Sequence, residues 1–383
     1  MKRTFTQSEL STFKLCRFKH YLKYEQGLRR PGRSISALLG RAGHAGLESL
    51  YLDRDREKAI RTVERYFDDF YAEQLSVSRC SSPIYEKWKD TRDLTVSILS
   101  HYCDAYGFGQ GKTPDPDPSF KVLPGMVEVP FRVPIVTNSG RASRCFDLAG
   151  KIDLGVDFDH RYWVVDHKFK LDVNDSLHDA LRISFQMKCY VLALRMYTGL
   201  KVAGGCWNVL RRKAVGKPAI NKNGTVSMAK VDTTPDIYRE TLARQDRFLR
   251  EKTGKGLDFQ KYGKEMDRLK AIKWFGRYFC EYSEEDLKEI QREIYATAHM
   301  IQDCARSEGM FSFKNDLACT IFGSCQYRKL CQGISSGNEF VYDANPHTEL
   351  PEEIGRKRVW NGFALDSKSS RLMSFEDAFQ DIQ

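Results

Sequence analysis

Three cysteines near the end of this 383-residue chain, Cys319, Cys325 and Cys331, stand with five residues on each side of Cys325 and supply three thiolates of a four-ligand metal site. Cys16, near the other end, is read as the fourth. One site would then staple both ends around everything between them, a closure that stabilises by restricting the unfolded chain. Cys80, Cys103, Cys145, Cys189, Cys206, Cys280 and Cys304 lack convergent partners and read as small buried residues. Eleven cysteines are too few for a disulfide scaffold, and Met1-Lys-Arg-Thr has no apolar run behind its charges as a signal peptide would. A reducing, cytoplasmic setting is expected.

The formal charge of +10 and pI near 8.9 suit a polyanionic partner, nucleic acid being the natural one. No stretch approaches the roughly 20 apolar residues of a membrane span. No Gly-x-x-x-x-Gly-Lys-Ser/Thr loop is present, so helicase activity cannot reside here.

Thr6-Gln-Ser-Glu9 reads as a capping box that starts a helix carrying Cys16 near its last turn. Further helices are expected over 36–52, 55–74 and 84–106. Pro114-Asp-Pro-Asp-Pro118 marks a loop or lid over 107–126. Strands follow at 127–136, 145–156 and 162–169, then a helix over 179–197, a strand at 206–210 and a returning strand near 226–231. The remainder to Gly309 reads as mainly helix. The organisation is therefore a helical region (1–106), the lid, an α/β core (127–235), a helical region with the cysteines (236–335) and a tail (336–383), all in one integrated domain.

Chemistry concentrates on the hairpin. Side chains alternate along a strand, so Asp166 and Lys168 point to one face and His167 to the other. Twelve residues lie between Asp153 and Asp166, and pairing across the short turn brings the two carboxylates within reach of one hard cation such as Mg²⁺. Such an ion lowers the pKa of a bound water, while a lysine beside it orients the water and stabilises developing negative charge. His44, with Glu48 one turn on, can complete a Mg²⁺ or Mn²⁺ shell, or it can be a structural histidine. Gln186 and Tyr190 share a helix face and can grip phosphate or position the lysine. Glu128 is a supporting carboxylate, or a solvent-facing one, and Asp147 a spare with the strand parity of Asp153. Arg211, Arg212, Lys213 and Lys217 offer phosphate contacts, or form a solvated charge run.

Together these segments resemble the RecB-like branch of the PD-(D/E)XK nuclease superfamily, which includes phage-type exonucleases and the Cas4 proteins. The resemblance runs over residues 6–335. It rests on Ser8-Glu-Leu-Ser-Thr-Phe13 running into Cys16-Arg-Phe-Lys-His-Tyr21, on His44 after Gly40-Arg-Ala-Gly43, on Asp153 after Gly150-Lys-Ile152, on Asp166-His-Lys168 and on Gln186-x-x-x-Tyr190. Arg17 and Ile152 stand where the family often has proline. The resemblance implies a restriction-endonuclease-like α/β (α+β) core: a mixed central sheet flanked by helices, with a helical N-terminal region and a C-terminal cysteine cluster. It implies a Mg²⁺- or Mn²⁺-dependent DNA exonuclease acting on linear or single-stranded ends in phage or bacterial recombination, replication or repair. A Cas4-like factor working with Cas proteins in CRISPR spacer acquisition, or a silent DNA-binding scaffold, are the alternatives. It also implies that Cys16, Cys319, Cys325 and Cys331 hold a [4Fe-4S] cluster, although the wide cysteine spacing leaves room for structural Zn²⁺.

Overall fold

The computed structural model describes residues 2–30, 35–77, 82–108, 119–307, 310–321, 324–335 and 337–343. Cys80, half of the expected lid (109–118) and most of the tail lie outside these. Strand β1 (Arg3–Thr6) leads into helix α1 (Gln7–Leu15), where the Thr6 hydroxyl accepts the Glu9 amide at 3.0 Å. The Glu9 carboxylate is engaged by Arg3 (3.2 Å) and by His20 (3.1 Å). Extended backbone at Cys16 ends α1 and begins α2 (Arg17–His20), which widens into the turn Tyr21–Glu25 before the short strand β2 (Leu28–Arg29). Helices α3 (Ile35–Asp53), α4 (Arg56–Val77) and α5 (Ser82–Tyr106) follow close to their expected bounds.

The central mixed sheet has six strands, ordered β1-β4-β5-β6-β7 with β3 on the other edge of β4. Strand β3 (Lys121–Val136) starts earlier than expected, because a register shift between Val122 and Val127, with Gly125 at φ +71°, lets the strand continue through the glycine. Strands β4 (Ala142–Phe158) and β5 (Arg161–Lys170) form the expected hairpin, turned by Asp159 and His160 in left-handed conformation. On one edge β4 has two successive partners: β1 pairs with Phe146 to Ala149, and β5 with Leu154 to Phe158. Between them, residues 150–153 face the notch where the two partners diverge.

Beyond the hairpin the expected single helix is two, α6 (Ser176–Arg182) and α7 (Phe185–Thr198). Ser184 caps the second by accepting the Met187 amide at 3.2 Å. Strand β6 (Val202–Arg211) runs parallel to β5. Its returning partner is β7 (Phe275–Glu281), paired Leu210 to Phe275, and not the segment 226–231, which carries only a bridge from Ile220 to Val226. Between β6 and β7 lie α8 (Pro235–Thr253) and α9 (Gly263–Lys270) around their own small core of Val226, Tyr238, Leu242, Leu249, Tyr262 and Leu269. Helix α10 (Glu284–Arg306) and the short α11 (Arg328–Cys331) precede β8 (Val341–Tyr342), which pairs with β2.

Each sheet face buries a separate core. One collects α3, α4 and α5 over Leu154, Val156, Val165 and Leu210; the other packs α1, α7 and α10 over Ile152, Val164 and Val209. No described helix is long and apolar enough to cross a membrane. Cys103, Cys189, Cys206, Cys280 and Cys304 are buried as expected, but Cys145, near the start of β4, is exposed.

Candidate active site

Asp153 sits at the notch, one residue beyond the last bonded pair of the hairpin, Leu154 with Val165, so the same register sets it opposite Asp166. Where the strands part, its Oδ2 takes the place of a ladder partner and accepts the backbone N–H of His167 at 2.8 Å. The same oxygen lies 3.2 Å from Nδ1 of His44 on α3. That approach depends on Gly43, since a Cβ there would stand 2.2 Å from the Phe169 ring, and glycine lets α3 settle onto β5.

Glu128 joins from β3 at φ 51°, a left-handed conformation unusual for a side-chain-bearing residue in a strand. One ligand atom from each of His44, Glu128 and Asp153 lies within 4.8 Å of the others. Two carboxylates and an imidazole at that separation fit a hard divalent cation, whose oxygen and nitrogen ligands sit about 2.1 Å from the ion and so up to about 4.2 Å apart. Glu128 is therefore more central than the sequence implied. Asp166 stands outside the trio, its Oδ2 2.5 Å from the Lys168 ammonium. Oδ2 of Asp166 and Oε2 of Glu128 are buried and touched by an ammonium, from Lys168 and Lys151 respectively, yet neither completes a well-directed hydrogen bond.

These carboxylates set one another's protonation. Burial alone would depress the His44 imidazole, but Asp153, with help from Asp166 and Glu128, raises it to about 9. Asp153 is buried too, which would raise it, yet the His44 charge and the His167 amide hold it well below the usual carboxylate range. Burial followed by the Asp153 charge lifts Glu128 to about 7 against the pull of Lys151. Asp166 is raised by burial, in part offset by Lys168.

Lys168 donates to Oε1 of Gln186 at 2.8 Å, and Nε2 of that amide reaches the Tyr190 hydroxyl at 3.4 Å. Gln186 thus touches the lysine directly, and Tyr190 touches Gln186. His167, on the opposite strand face, is a residue whose part the sequence did not reveal. Its buried ring stacks on Tyr51 (5.7 Å between centroids), and Nδ1 accepts from Nδ2 of Asn208 at 2.9 Å. The Asn208 amide also donates to the Tyr102 hydroxyl at 2.9 Å, which lies 2.6 Å from that of Tyr51. Burial depresses the His167 imidazole to about 3, so the ring is neutral.

Asp147 is not in the site: at the far end of β4 it pairs with Lys2 (3.1 Å) and Arg132 (2.9 Å). Nor is the basic run wholly open. Arg211 is tucked over the Trp274 ring and, with Lys213, pairs with Asp232, leaving Arg212 half-buried and Lys217 exposed.

The segment after α1 contacts residues 313–327. The Phe18 amide donates to Phe313 O (3.1 Å), the Asn315 side chain to Leu15 O (2.8 Å) and the Tyr327 hydroxyl to Leu28 O (2.6 Å). Burial raises the Cys331 thiol to about 11; nearby Lys314 opposes the rise, and Cys325, Cys16 and Cys319 add to it. The four cysteines are not among the described ligand groups that gather within 4.8 Å. The second such group, Glu9, His20 and Glu25, is bridged by the Arg3 guanidinium, which touches both carboxylates and offsets one of their two charges.

The sequence matches the family model described as the PD-(D/E)XK nuclease superfamily over residues 4–332. No curated protein matches the chain.

Proposed function

The chain belongs to the PD-(D/E)XK nuclease superfamily, and on that footing we propose that it is a Mg²⁺- or Mn²⁺-dependent DNA exonuclease of the RecB-like branch, serving recombination or repair. The observation that carries the reading is the convergence of His44, Glu128 and Asp153 beside the Asp166–Lys168–Gln186 chain. Asp153, Glu128 and His44 would hold the ion, with Asp166 opposite as a further carboxylate. A bound ion there supplies an acidified water and charge neutralisation at phosphate. Lys168, fixed between Asp166 and Gln186, donates toward the attacking water and the developing negative charge, while Tyr190 steadies Gln186. The His167 amide keeps the Asp153 carboxylate aimed at the notch.

Cys16, Cys319, Cys325 and Cys331 are proposed to hold a [4Fe-4S] cluster of structural purpose. Structural Zn²⁺ held by the same four thiolates is the alternative.

The test incubates anaerobically purified protein with end-labelled linear DNA and with circular DNA, in Mn²⁺ or EDTA. Shortening of the linear substrate only, abolished by EDTA and reduced at least about 10²-fold by Lys168→Ala, is expected. Equal cleavage in EDTA, or by Lys168→Ala, would refute the assignment.

A further inference from the structure

Strands β6 and β7 are antiparallel neighbours paired from Gly204–Glu281 to Leu210–Phe275, and the Arg211 amide still donates to Trp274 O at 2.8 Å. A turn of about two residues is enough to join such a pair. Residues 212–273 intervene instead, and their segregated core shows that they are built as an appendage the sheet does not need. Their charge sets them apart. This stretch holds 16 Lys and Arg against 8 Asp and Glu, a net of +8 out of the chain's +10, so the rest of the molecule is almost balanced.

Several of these cations are spent inside the appendage: Lys213, Arg239, Arg250, Arg268 and Lys270 pair with its own acids. Lys217, Lys222, Lys230, Arg244, Arg247 and Lys264 are exposed and, among the described residues, have no ion pair. The turn carrying Lys222 lies against α8, for Gly224, at φ +83°, would bring a Cβ within 2.9 Å of Leu249 and 3.5 Å of Phe248. Arg244, Arg247 and exposed Phe248 share a face of α8, and Lys222 stands two residues before the glycine that packs beside Phe248.

The root of the appendage is at the catalytic strand. The Arg212 amide donates to Lys170 O at 2.6 Å, and Lys170 is four residues, about 13 Å of strand, beyond Asp166. Lys168, paired with Asp166, and exposed Lys170 each lie 5.9 Å from the Trp207 ring, so Lys170 stands between the site and the appendage.

We infer that residues 212–273 form a phosphate-binding arm that holds the nucleic-acid backbone flanking the scissile bond, through Lys222, Arg244, Arg247 and the exposed lysines around them. The inference rests on the nuclease reading. The arm grips without regard to sequence and needs no metal, because its contacts are between side-chain cations and phosphate.

The experiment measures binding of the full-length protein to a fluorescent 30-bp duplex by anisotropy, in EDTA, across a salt series. Each lost phosphate contact flattens the slope of log K against log salt by about 0.9, so Lys222→Ala/Arg244→Ala/Arg247→Ala is expected to lower it by about 2 to 3. The charge-conserving Lys222→Arg/Arg244→Lys/Arg247→Lys should keep the wild-type slope. Wild-type protein read by hydrogen exchange should gain protection over 217–255 when duplex is added, a measurement independent of how either variant folds. An unchanged slope in the alanine variant, or no added protection, overturns the arm while leaving the nuclease intact if wild-type protein cleaves DNA in Mn²⁺. Wild-type protein that neither binds nor cleaves DNA overturns both.

Discussion

Replacing His167 by Phe isolates one buried imidazole whose neutrality has a measurable cost in acid. The folded-state value of about 3 lies below the unfolded 6.5, so the unfolded chain takes up the proton first as pH falls. Its contribution to stability is therefore full above pH 6.5 and is lost progressively toward pH 3. Between pH 7 and pH 5 the loss is about 2 kcal/mol, and this depends almost wholly on the unfolded value, because any folded-state pKa below about 4 gives the same result over that window. Phe preserves the stack on Tyr51 and removes the titration. It also deprives the Asn208 amide of an acceptor, a pH-independent cost of about 1 kcal/mol.

His44 and Glu128 titrate as well, with the opposite sign. Both are raised, so Glu128 loses its contribution as pH climbs from 4.5 through 7, and His44 as it climbs from 6.5 through 9. Those terms are common to both proteins and cancel in the difference. Urea unfolding in EDTA at pH 7, 6 and 5 should show the wild-type-minus-variant stability falling by about 2 kcal/mol, or roughly 0.7 M in midpoint at a slope of about 3 kcal/mol per molar. In the native wild type the His167 ring resonance should not titrate between pH 7 and pH 4.5. Parallel pH dependence of the two proteins, or a ring titrating near 6.5, would refute the buried neutral histidine.

Mn²⁺ binding should strengthen as pH rises from 6 to 9 and release protons, because the ion must displace those on His44 and Glu128; calorimetry in buffers of different ionisation enthalpy at pH 7.5 measures this, and no proton release would contradict it. Gly43→Ala should cost about 1 to 3 kcal/mol in melting stability and weaken Mn²⁺ binding, with both partly restored by adding Phe169→Leu; additive losses in the double variant would mean the ring is not the obstacle. Cys16→Ala should lose iron and become protease-sensitive in its N-terminal helices, whereas Asp166→Asn keeps the iron; full iron in Cys16→Ala would remove it as a ligand. Asp147→Asn should leave cleavage at the wild-type rate and lower stability by at most about 1 kcal/mol, in contrast to Asp153→Asn, which should abolish cleavage.

What the sequence made legible was local. Thr6 three residues before Glu9 announced α1, and period-two alternation set Asp166 and Lys168 on one face with His167 on the other. The break between α6 and α7 had a local signal too, Ser184 acting as a cap inside an apolar run, but the run outweighed it. Strand β7 falls where the sequence reads as helix, because Phe275 to Cys280 shows no clean alternation: it lies on the sheet edge with both faces half-covered, so neither face needs to be polar. Aromatic enrichment there was the missed clue. The notch had no local signal. It exists because β1, four residues at the start of the chain, and β5 share one edge of β4, and nothing in either segment states that. The same holds for the support under His167, drawn from Tyr51, Tyr102 and Asn208 on three elements far apart in sequence.

The charge balance of the site explains why it can be preformed and still select for metal. Three buried carboxylates face three cations of the chain: Asp153 with protonated His44, Glu128 with Lys151, Asp166 with Lys168. The resting site is close to neutral, so folding does not have to bury a net charge there. Loss of the His44 proton leaves it one charge negative, and a divalent ion then makes it one charge positive. A phosphate is therefore attracted into the notch only when the ion is in place. The arm over 212–273 is positive at all times, so it can hold DNA while the site waits. Binding should accordingly persist in EDTA with its salt dependence set by the arm, and Mn²⁺ or Mg²⁺ should add affinity mainly through the phosphate that enters the notch.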